Sequence, residues 1–163
     1  MSKYSPPEKL NKSHFLKDFD CGNNQLNEYL KKYAFQNQKK NISKTYVTHN
    51  NGKVVGYYTL TYGSVEKANL PEAIKRNLPN YPIPVMVLAR LAVDKAEKGK
   101  GLGKGLLRDA VLKTLLASKI AGIKAIMVKA KDEKAKAFYK KYDFTDSQMD
   151  ESILFLPVEF LKE

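Results

Sequence analysis

The stretch VMVLARLAVDKAEKGKGLGKGLLRDAVLKTLL, residues 85–116, decides the fold. Its first part, Val85 to Val93, is nearly all apolar and is interrupted only by Arg90, so it predicts a strand buried on both faces of a sheet. A glycine-rich turn follows. Beyond the turn, apolar residues recur at helical spacing and predict the buried face of a long helix: Leu102, Leu106, Leu107, Ala110, Val111, Thr114 and Leu115.

The turn between strand and helix has the sequence Lys98-Gly99-Lys100-Gly101-Leu102-Gly103-Lys104. Glycines allow a positive φ and a close approach of the backbone to a ligand. The first amides of the helix have no intrahelical acceptor, and the helix dipole adds positive potential there. The turn therefore predicts a phosphate site, to which the three lysines add charge. The alternative is a flexible loop whose glycines only cap the helix.

Two common nucleotide-binding motifs do not fit this turn. A Walker A loop ends in Gly-Lys-Ser/Thr, but Lys104 is followed by Gly105. The dinucleotide fingerprint needs a third glycine after two intervening residues, and Lys104 or Leu106 occupies that place, depending on the register. A phosphate ligand of another kind is expected.

Further elements are predicted on both sides of this unit. The turn signal Asn50-Asn51-Gly52 separates two strand-like runs and predicts a hairpin. Residues 64–84 contain four prolines and predict an irregular excursion with a short helix at 72–77. The full order is helix 24–39, hairpin strands 45–48 and 54–61, strand 85–93, the long helix, strand 125–128, helix 134–142 and strand 153–158. This order predicts an α/β sandwich around a mixed sheet, in a single domain over residues 1–163.

Composition narrows the functional classes. The 163-residue chain has 29 basic and 17 acidic residues, a net charge of +12, and such an excess favours polyanionic partners. A lysine-rich solvated surface is the alternative explanation. No apolar run is long enough to span a membrane, and residues 1–7 lack the apolar stretch of a signal peptide. With Cys21 as the sole cysteine no internal disulfide is possible, so we expect a cytoplasmic protein.

At the turn the chain resembles the GNAT acetyltransferases, whose coenzyme signature is Gln/Arg-x-x-Gly-x-Gly/Ala. Lys98 departs from the Gln or Arg of the first place. Residues 88–94 are similar to the family's central strand, and residues 135–144 to its last helix and following strand. At the end of that helix Asp143 replaces the family's usual glycine, and because aspartate tolerates a left-handed backbone, a helix end is expected there. The resemblance implies a mixed, mostly antiparallel sheet with helices on both faces. It also implies acetyl-CoA as co-substrate, with its pyrophosphate on Lys98, Gly99, Lys100, Gly101, Leu102, Gly103 and Lys104 and its pantetheine arm along the backbone of Leu91, Ala92 and Val93.

Five segments resemble a narrower subgroup, the acetyltransferase toxins of bacterial type II toxin–antitoxin pairs. They are residues 19–30, 55–60, 76–79, 90–94 and 106–110. The resemblance implies acetylation of the α-amino group of aminoacyl-tRNA, which stops translation. It further implies a ribbon-helix-helix antitoxin as partner and a homodimer.

Tyr139 occupies the place of the family's catalytic tyrosine. A phenol can protonate the departing thiolate only if it is well placed, so position decides its role. The alternative is an aromatic packing residue, with Tyr142 as a local competitor for the catalytic role. Cys21 lacks a partner motif and is expected to be buried. His14 and His49 lie outside the matched segments, and no metal is expected.

Four basic residues are candidates for RNA contacts. Arg90 interrupts a buried strand and either contacts RNA phosphate or forms a salt bridge inside the fold. Lys44, Lys75 and Arg76 precede or lie in matched segments and are candidates to line an acceptor-stem path, although each alone is also compatible with a solvated charge.

Two other functions remain open at the level of sequence. The first is the same fold acting on a small-molecule amine or a protein N-terminus. The second is a non-catalytic RNA-binding or regulatory module. The absence of an obvious general base favours an α-amine over a lysine side chain as acceptor. An α-amine has a pKa near 7.7–8.0, so part of it is already neutral at physiological pH.

Overall fold

The computed structural model describes residues 3–160, apart from the side chain of residue 160. Within this range the chain forms seven strands: β1 (Glu8–Lys9), β2 (Lys44–Asn50), β3 (Lys53–Val65), β4 (Ile83–Val93), β5 (Ala125–Lys129), β6 (Thr145–Asp146) and β7 (Ile153–Pro157). The α-helices are α1 (Asn24–Glu28), α2 (Ala34–Lys39), α3 (Glu72–Lys75), α4 (Leu102–Ser118) and α5 (Glu133–Lys141). A π-helix, Tyr29–Tyr33, joins α1 to α2.

The strands form one mixed sheet in the order β1-β2-β3-β4-β5-β7-β6. β4 and β5 run parallel, whereas β1–β2, β2–β3, β5–β7 and β6–β7 are antiparallel. The predicted mixed, mostly antiparallel sheet is confirmed. The two-residue strands β1 and β6 were not predicted, because they are too short to show an apolar pattern.

The described chain divides into two compact units, residues 3–61 with 89–110 and residues 62–88 with 111–160. The chain crosses from one unit to the other within β3, β4 and α4. The first unit has a core that includes Phe19, Leu30, Val47 and Tyr57. The core of the second unit is a cluster of buried residues: Leu70, Ile74, Ile83, Val85, Ala125 and Phe155. The single domain over residues 1–163 stays a prediction.

The β2–β3 hairpin has the turn that its sequence predicts. Asn51 and Gly52 have φ of +52° and +89°. Two successive positive φ angles match the right-handed twist of the strands, which explains the preference for Asn-Gly at this place. β3 continues to Val65, beyond the predicted end at residue 61.

The predicted helix 24–39 is present, but it contains a π-turn. Asn23 caps α1 by accepting from the Leu26 amide, and the Ala34 amide donates to the Tyr29 carbonyl five residues earlier. The wider turn shifts the phase of the apolar face. Leu30 and Ala34 are buried, whereas Tyr33, which shares the helical spacing of these apolar residues, is 48% exposed.

The prediction that residues 85–93 are buried on both faces is only half right. The strand spans Ile83–Val93, and its first half is mostly buried. In its second half Ala89 is exposed, and Arg90, Leu91 and Val93 are only partly covered. The register of β4 with β5 runs as far as Leu88, which lies opposite Val128. Apolar composition alone does not tell where along a strand such coverage ends.

The start of α4 packs tightly against β3. A Cβ atom on Gly56 would lie 3.0 Å from Leu106 Cδ1 and 3.4 Å from the Ala92 carbonyl oxygen, so only glycine fits without displacement. The Tyr58 hydroxyl donates to Asp109 on α4. Burial is the main cause that raises the pKa of Tyr58, so its hydroxyl stays protonated and keeps this bond. These contacts fix α4, and with it the turn that precedes it.

Candidate active site

The glycine turn has the backbone that the sequence predicts. Gly99 and Gly101 have φ of +82° and +83°, in the region that L side chains rarely adopt. Nothing lies within 4 Å of a Cβ built on either residue, so these glycines serve the backbone conformation and do not relieve crowding. The Gly105 amide donates to the Gly101 carbonyl at 3.1 Å, and three amides of α4 precede that bond. They lie at the positive end of a 17-residue helix dipole.

The lysines of the turn differ in their partners. Lys98 Nζ donates to the Cys21 carbonyl at 3.2 Å, and Lys100 Nζ donates to Glu97 Oε2 at 2.7 Å. The bond to Glu97 raises the pKa of Lys100. Lys104 is exposed in the first turn of α4. Positive charge therefore surrounds the turn, and two of its ammonium groups are bound to oxygens of this chain.

A buried carboxylate stabilises the backbone that precedes the turn. Asp94, 8% exposed, follows β4 directly. Its Oδ1 accepts the Ala96 amide at 2.9 Å and its Oδ2 accepts the Asp20 amide at 3.1 Å. The Lys95 amide in turn donates to the Asp20 carbonyl at 2.8 Å. The segment before α1 and the segment before the turn are thus held together by this side chain and by a backbone hydrogen bond. The sequence signal that indicates this role is an aspartate two residues before Ala96, at the cap position of a short helical turn.

Asp20 and Asn27 extend this network toward α1. Asp20 Oδ1 accepts from the Gly22 amide and from Asn27 Nδ2, while Lys95 lies 3.0 Å from Oδ2. The Gly22 bond, then Asn27 and Lys95, lower the pKa of Asp20 to about 2. Cys21 is buried, as expected, and its amide donates to Asn27. The segment 19–30 that matched the toxin subgroup is therefore a support of the turn.

A cavity of about 300 Å³ lies beside the start of α4. Gly101, Leu102, Gly105 and Leu106 line it on the helix side. The N-terminal segment lines it with residues 4–7, and Thr48 of β2 completes the wall. The N-terminal segment is thus adjacent to the predicted phosphate site, a position that nothing in the sequence pattern indicated.

Arg90 on β4 has an aromatic partner. Its Cζ lies 3.6 Å from the centre of the Tyr29 ring, in a cation–π contact at the first residue of the π-helix. Tyr29 also exchanges a hydrogen bond with Ser43 at 3.0 Å. Of the two alternatives for Arg90, the internal salt bridge is not seen among residues 3–160. Leu91, Ala92 and Val93 follow on the same strand, and Ala92 is 5% exposed.

Tyr139 lies in the second unit, on α5. The residue is 8% exposed, and its ring contacts Phe138 and Phe144 with centroid distances of 5.3 and 5.4 Å. Burial raises the pKa of Tyr139 to about 12. The hydroxyl therefore carries its proton across the physiological range and is available as a donor. Asp143, after the helix, has φ of +73°, which confirms the predicted left-handed helix end.

The other basic candidates fall into two places. Lys75 and Arg76 line a cavity of about 390 Å³ in the second unit, which Lys67 also lines. Lys75 pairs with Glu72 at 3.3 Å, and Arg76 is exposed. Lys44 begins β2 in the first unit and is partly buried. The first unit therefore contains the turn, Leu91–Val93, Lys44 and Arg90, and the second contains Tyr139, Lys75 and Arg76.

The two histidines meet at Glu8, a cluster that sequence reasoning missed. His14 Nε2 lies 2.9 Å from Glu8 Oε1, and His49 Nε2 contacts the same oxygen. The Nδ1 atoms accept the backbone amides of Asn11 and Gly52. These acceptor roles place the proton of each neutral ring on Nε2, where a metal would need a lone pair. The cluster is thus a hydrogen-bonded staple between β1, the following loop and the hairpin.

The match to known families defines the class of protein. The protein-family model of the acetyltransferase (GNAT) domain matches residues 41–146, more than half of the chain. The chain belongs to the GNAT family and is an N-acetyltransferase. No helix among residues 3–160 combines the length and the apolar character that a membrane crossing requires.

Several of the proteins that this chain is similar to are toxins. The chain is 42% identical over 150 residues to the tRNA-acetylating toxin of Mycobacterium tuberculosis (strain ATCC 25618 / H37Rv), covering 92% of this chain and 90% of that protein. It is similar to AtaT complexed with acetyl-methionyl-tRNAfMet, with a TM-score of 0.90, 32% identity and 96% coverage of each chain. A tyrosine-to-phenylalanine mutant of AtaT bound to the C-terminus of the antitoxin AtaR and acetyl-CoA gives a TM-score of 0.82, with 30% identity over 97% of this chain and 95% of that chain.

Proposed function

We propose that this protein transfers the acetyl group of acetyl-CoA to the α-amino group of aminoacyl-tRNA and thereby acts as a toxin that blocks translation. The observation that carries the proposal is the glycine turn. Its two positive-φ glycines directly precede the start of a long helix, as in a turn that binds phosphate. The 42% identity to a tRNA-acetylating toxin supports the choice of substrate.

The turn would hold the coenzyme by its phosphates. The amides of residues 102–104 precede the first intrahelical bond of α4, and the helix dipole favours an anion there. Lys98, Lys100 and Lys104 supply charge. Leu91, Ala92 and Val93, in the less covered half of β4, are the residues whose backbone would meet the pantetheine arm. The bracing by Asp94 keeps this backbone in place before any ligand arrives.

Between heavy atoms the reaction forms one bond and breaks one. The α-amino nitrogen bonds to the acetyl carbonyl carbon, the carbon–sulfur bond breaks, and the thiolate leaves with the electron pair. The amine loses one proton and the thiolate gains one. Tyr139 is assigned as the proton donor to the thiolate, supported by its burial and its protonated phenol.

The amine needs little help from a base. An α-amine has a pKa near 7.7–8.0, and esterification of the adjacent carboxylate lowers it, so a large fraction is neutral at physiological pH. The two histidines of this chain are bound to Glu8 and to backbone amides, which leaves neither as a base. This arrangement favours an aminoacyl ester over a lysine side chain as acceptor.

The acceptor stem would be bound by charge. The chain has a net charge of +12, and Lys75 and Arg76 share a cavity. Lys44 and Arg90 are further candidates, and Arg90 is already oriented by the ring of Tyr29. Phosphate contacts of this kind position a nucleic acid and give no sequence preference by themselves.

The proposal extends to partners and location. An antitoxin, of the ribbon-helix-helix type, would bind this chain; AtaT bound to the C-terminus of AtaR supports such a pairing. A homodimer and a cytoplasmic location complete the proposal. A short neighbouring gene for a ribbon-helix-helix protein, and the molar mass of the purified protein by light scattering, are the observations that test these points.

Replacement of Tyr139 by Phe tests the catalytic assignment, with Tyr142→Phe as the matched control. Tyr142 lies three residues away and contacts Phe138 as Tyr139 does. We expect Tyr139→Phe to lower the rate of acetyl transfer to charged tRNA by about 10²-fold or more, with thermal stability retained, because one general acid contributes about that much. Full activity of Tyr139→Phe, or an equal loss in Tyr142→Phe, would refute the assignment of the donor.

Salt dependence tests the substrate class. If three or more phosphates are contacted, kcat/KM for tRNA should fall by about tenfold or more between about 50 and 200 mM salt. A small-molecule amine as substrate would show a shallow dependence. Binding of RNA without any binding of acetyl-CoA would instead indicate a non-catalytic module.

A further inference from the structure

Glu97 places a negative charge directly beside the predicted phosphate site. It is the last residue of the 3₁₀ turn Lys95–Glu97, two residues before Gly99. Its side chain is only 15% exposed. The negative charge of a glutamate at this position repels an anion bound at the turn, so the contacts that hold Glu97 there are informative.

Three groups of this chain converge on the Glu97 carboxylate. Oε2 accepts from Lys100 Nζ at 2.7 Å and from the Tyr4 hydroxyl at 2.9 Å, and Lys3 Nζ lies 4.0 Å from Oε1. Lys100 first, and then Tyr4, lower the pKa of Glu97, so the carboxylate is ionised at neutral pH. Tyr4 belongs to the N-terminal segment that lines the cavity beside Gly101. The N-terminal segment therefore holds Glu97 toward Lys100.

Lys100 stands between the two positive-φ glycines of the turn. Its ammonium group cannot bind a ligand phosphate at full strength while it is paired with Glu97, because the pair must first be broken or shared. Lys98 is also engaged, with the Cys21 carbonyl, but a neutral carbonyl competes far less strongly than a carboxylate.

We propose that Glu97 is an affinity-limiting residue of the coenzyme turn, which competes with the coenzyme phosphates for Lys100 and is held in that role by Tyr4. The inference rests on the proposed function, since it takes the turn to be the coenzyme site. Its consequence is that weaker phosphate binding also speeds release of the product CoA, which carries the same phosphates.

Titration of CoA into the purified full-length protein at low ionic strength tests the inference. Glu97→Gln keeps the shape of the side chain, removes its charge and frees Lys100. We expect its Kd for CoA to fall by about three- to tenfold, because the Coulomb interaction of unit charges several ångströms apart, when it is screened by water, has about that size. The gain should shrink with added salt. Glu28→Gln is the control for the loss of one negative charge, because it breaks another Glu–Lys pair, that of Glu28 and Lys32 at 3.0 Å.

A double-mutant cycle with Lys100→Gln isolates the competition from the general loss of negative charge. In the Lys100→Gln background the gain from Glu97→Gln should be at least halved, since no ammonium group remains to be freed. Acetyl-pantetheine, which lacks the pyrophosphate and every other phosphate of acetyl-CoA, should bind wild type and Glu97→Gln equally. Tyr4→Phe should tighten CoA binding by a smaller factor than Glu97→Gln.

The outcomes separate the inference from the proposed function. If wild type binds CoA and Glu97→Gln binds it equally or more weakly, Glu97 does not limit affinity, and the acetyltransferase proposal stands. An equal gain in both backgrounds would overturn the competition for Lys100. If wild-type protein fails to bind CoA or acetyl-CoA at all, both the inference and the proposed function are wrong.

Discussion

Replacement of Asp94 by Ala should destabilise the protein and weaken coenzyme binding together. Asp94 is 8% exposed and accepts two backbone amides, from Ala96 at 2.9 Å and Asp20 at 3.1 Å. A hydrogen bond to a charged group contributes about 1.5–3 kcal/mol to stability, and loss of the carboxylate leaves both amides without this acceptor. Because Ala96 is exposed and water can replace one bond, we expect a loss of about 3 kcal/mol in the free energy of unfolding.

Asp94→Asn separates the two bonds. Its amide oxygen can replace one carboxylate oxygen, but its NH₂ group would face a backbone N–H, so about half of the loss should remain. For a chain of this size about 3 kcal/mol corresponds to a fall in Tm of about 6–12 °C, and the Asn variant should fall between Ala and wild type.

The assay is urea unfolding followed by circular dichroism, with CoA titration below the transition. Asp150→Ala is the control, because Asp150 also accepts two bonds, both from Ser152, but lies in an exposed loop of the second unit. It should change stability by less than about 1 kcal/mol and leave the Kd for CoA unchanged. If Asp94→Ala were as stable as wild type and bound CoA with the same Kd, this carboxylate would not stabilise the turn.

Three further predictions follow from the turn, from Tyr139 and from Asp20. Gly101→Ala should weaken CoA binding by about tenfold, because an L residue at φ +83° costs about 1–2 kcal/mol. Gly122→Ala, in an exposed loop of the second unit with open space around it, should bind CoA like wild type in the same titration. Since burial raises the pKa of Tyr139 to about 12, initial rates should rise from pH 6 to 9 with deprotonation of the substrate amine and show no loss at the alkaline end. Asp20, with its pKa lowered from 3.8 to about 2, contributes stability above pH 3.8 that is lost as the pH falls toward 2, and acid unfolding followed by circular dichroism should show a smaller loss in Asp20→Asn.

The sequence predicts most elements of the fold because its local signals agree with its apolar patterns. The Asn-Gly turn of the hairpin, the helical spacing after Leu102 and the aspartate after α5 all have the expected geometry. The failures have specific causes. The π-turn at Tyr29–Tyr33 changes the helical period, and β1 and β6 have only two residues each.

The candidate site is predicted less completely than the fold. The turn was found because its glycines are a local signal, and Tyr139 because it stands at a fixed place in a short motif. The residues that support the turn were not assigned. Asp94, Glu97 and Tyr4 act through contacts over long sequence separations, up to 93 residues for Tyr4 and Glu97, which no periodicity in one sequence reveals.

Arg90 shows the same limit in another form. Its interruption of an apolar strand indicated a purpose, but the choice between RNA phosphate and an internal salt bridge was open. The ring of Tyr29, 61 positions earlier in the chain, gives a third answer, because an aromatic face accommodates a guanidinium without a carboxylate.

The most direct test of the account is the fate of the acetyl group. Purified protein is mixed with acetyl-CoA labelled in the acetyl group and with charged tRNA, while uncharged tRNA and free amino acids serve as controls. We expect label on the α-amino nitrogen of the aminoacyl ester, absent from both controls and strongly reduced in Tyr139→Phe. Label that stays on acetyl-CoA with every charged tRNA, or that appears equally on free amino acids, would contradict it.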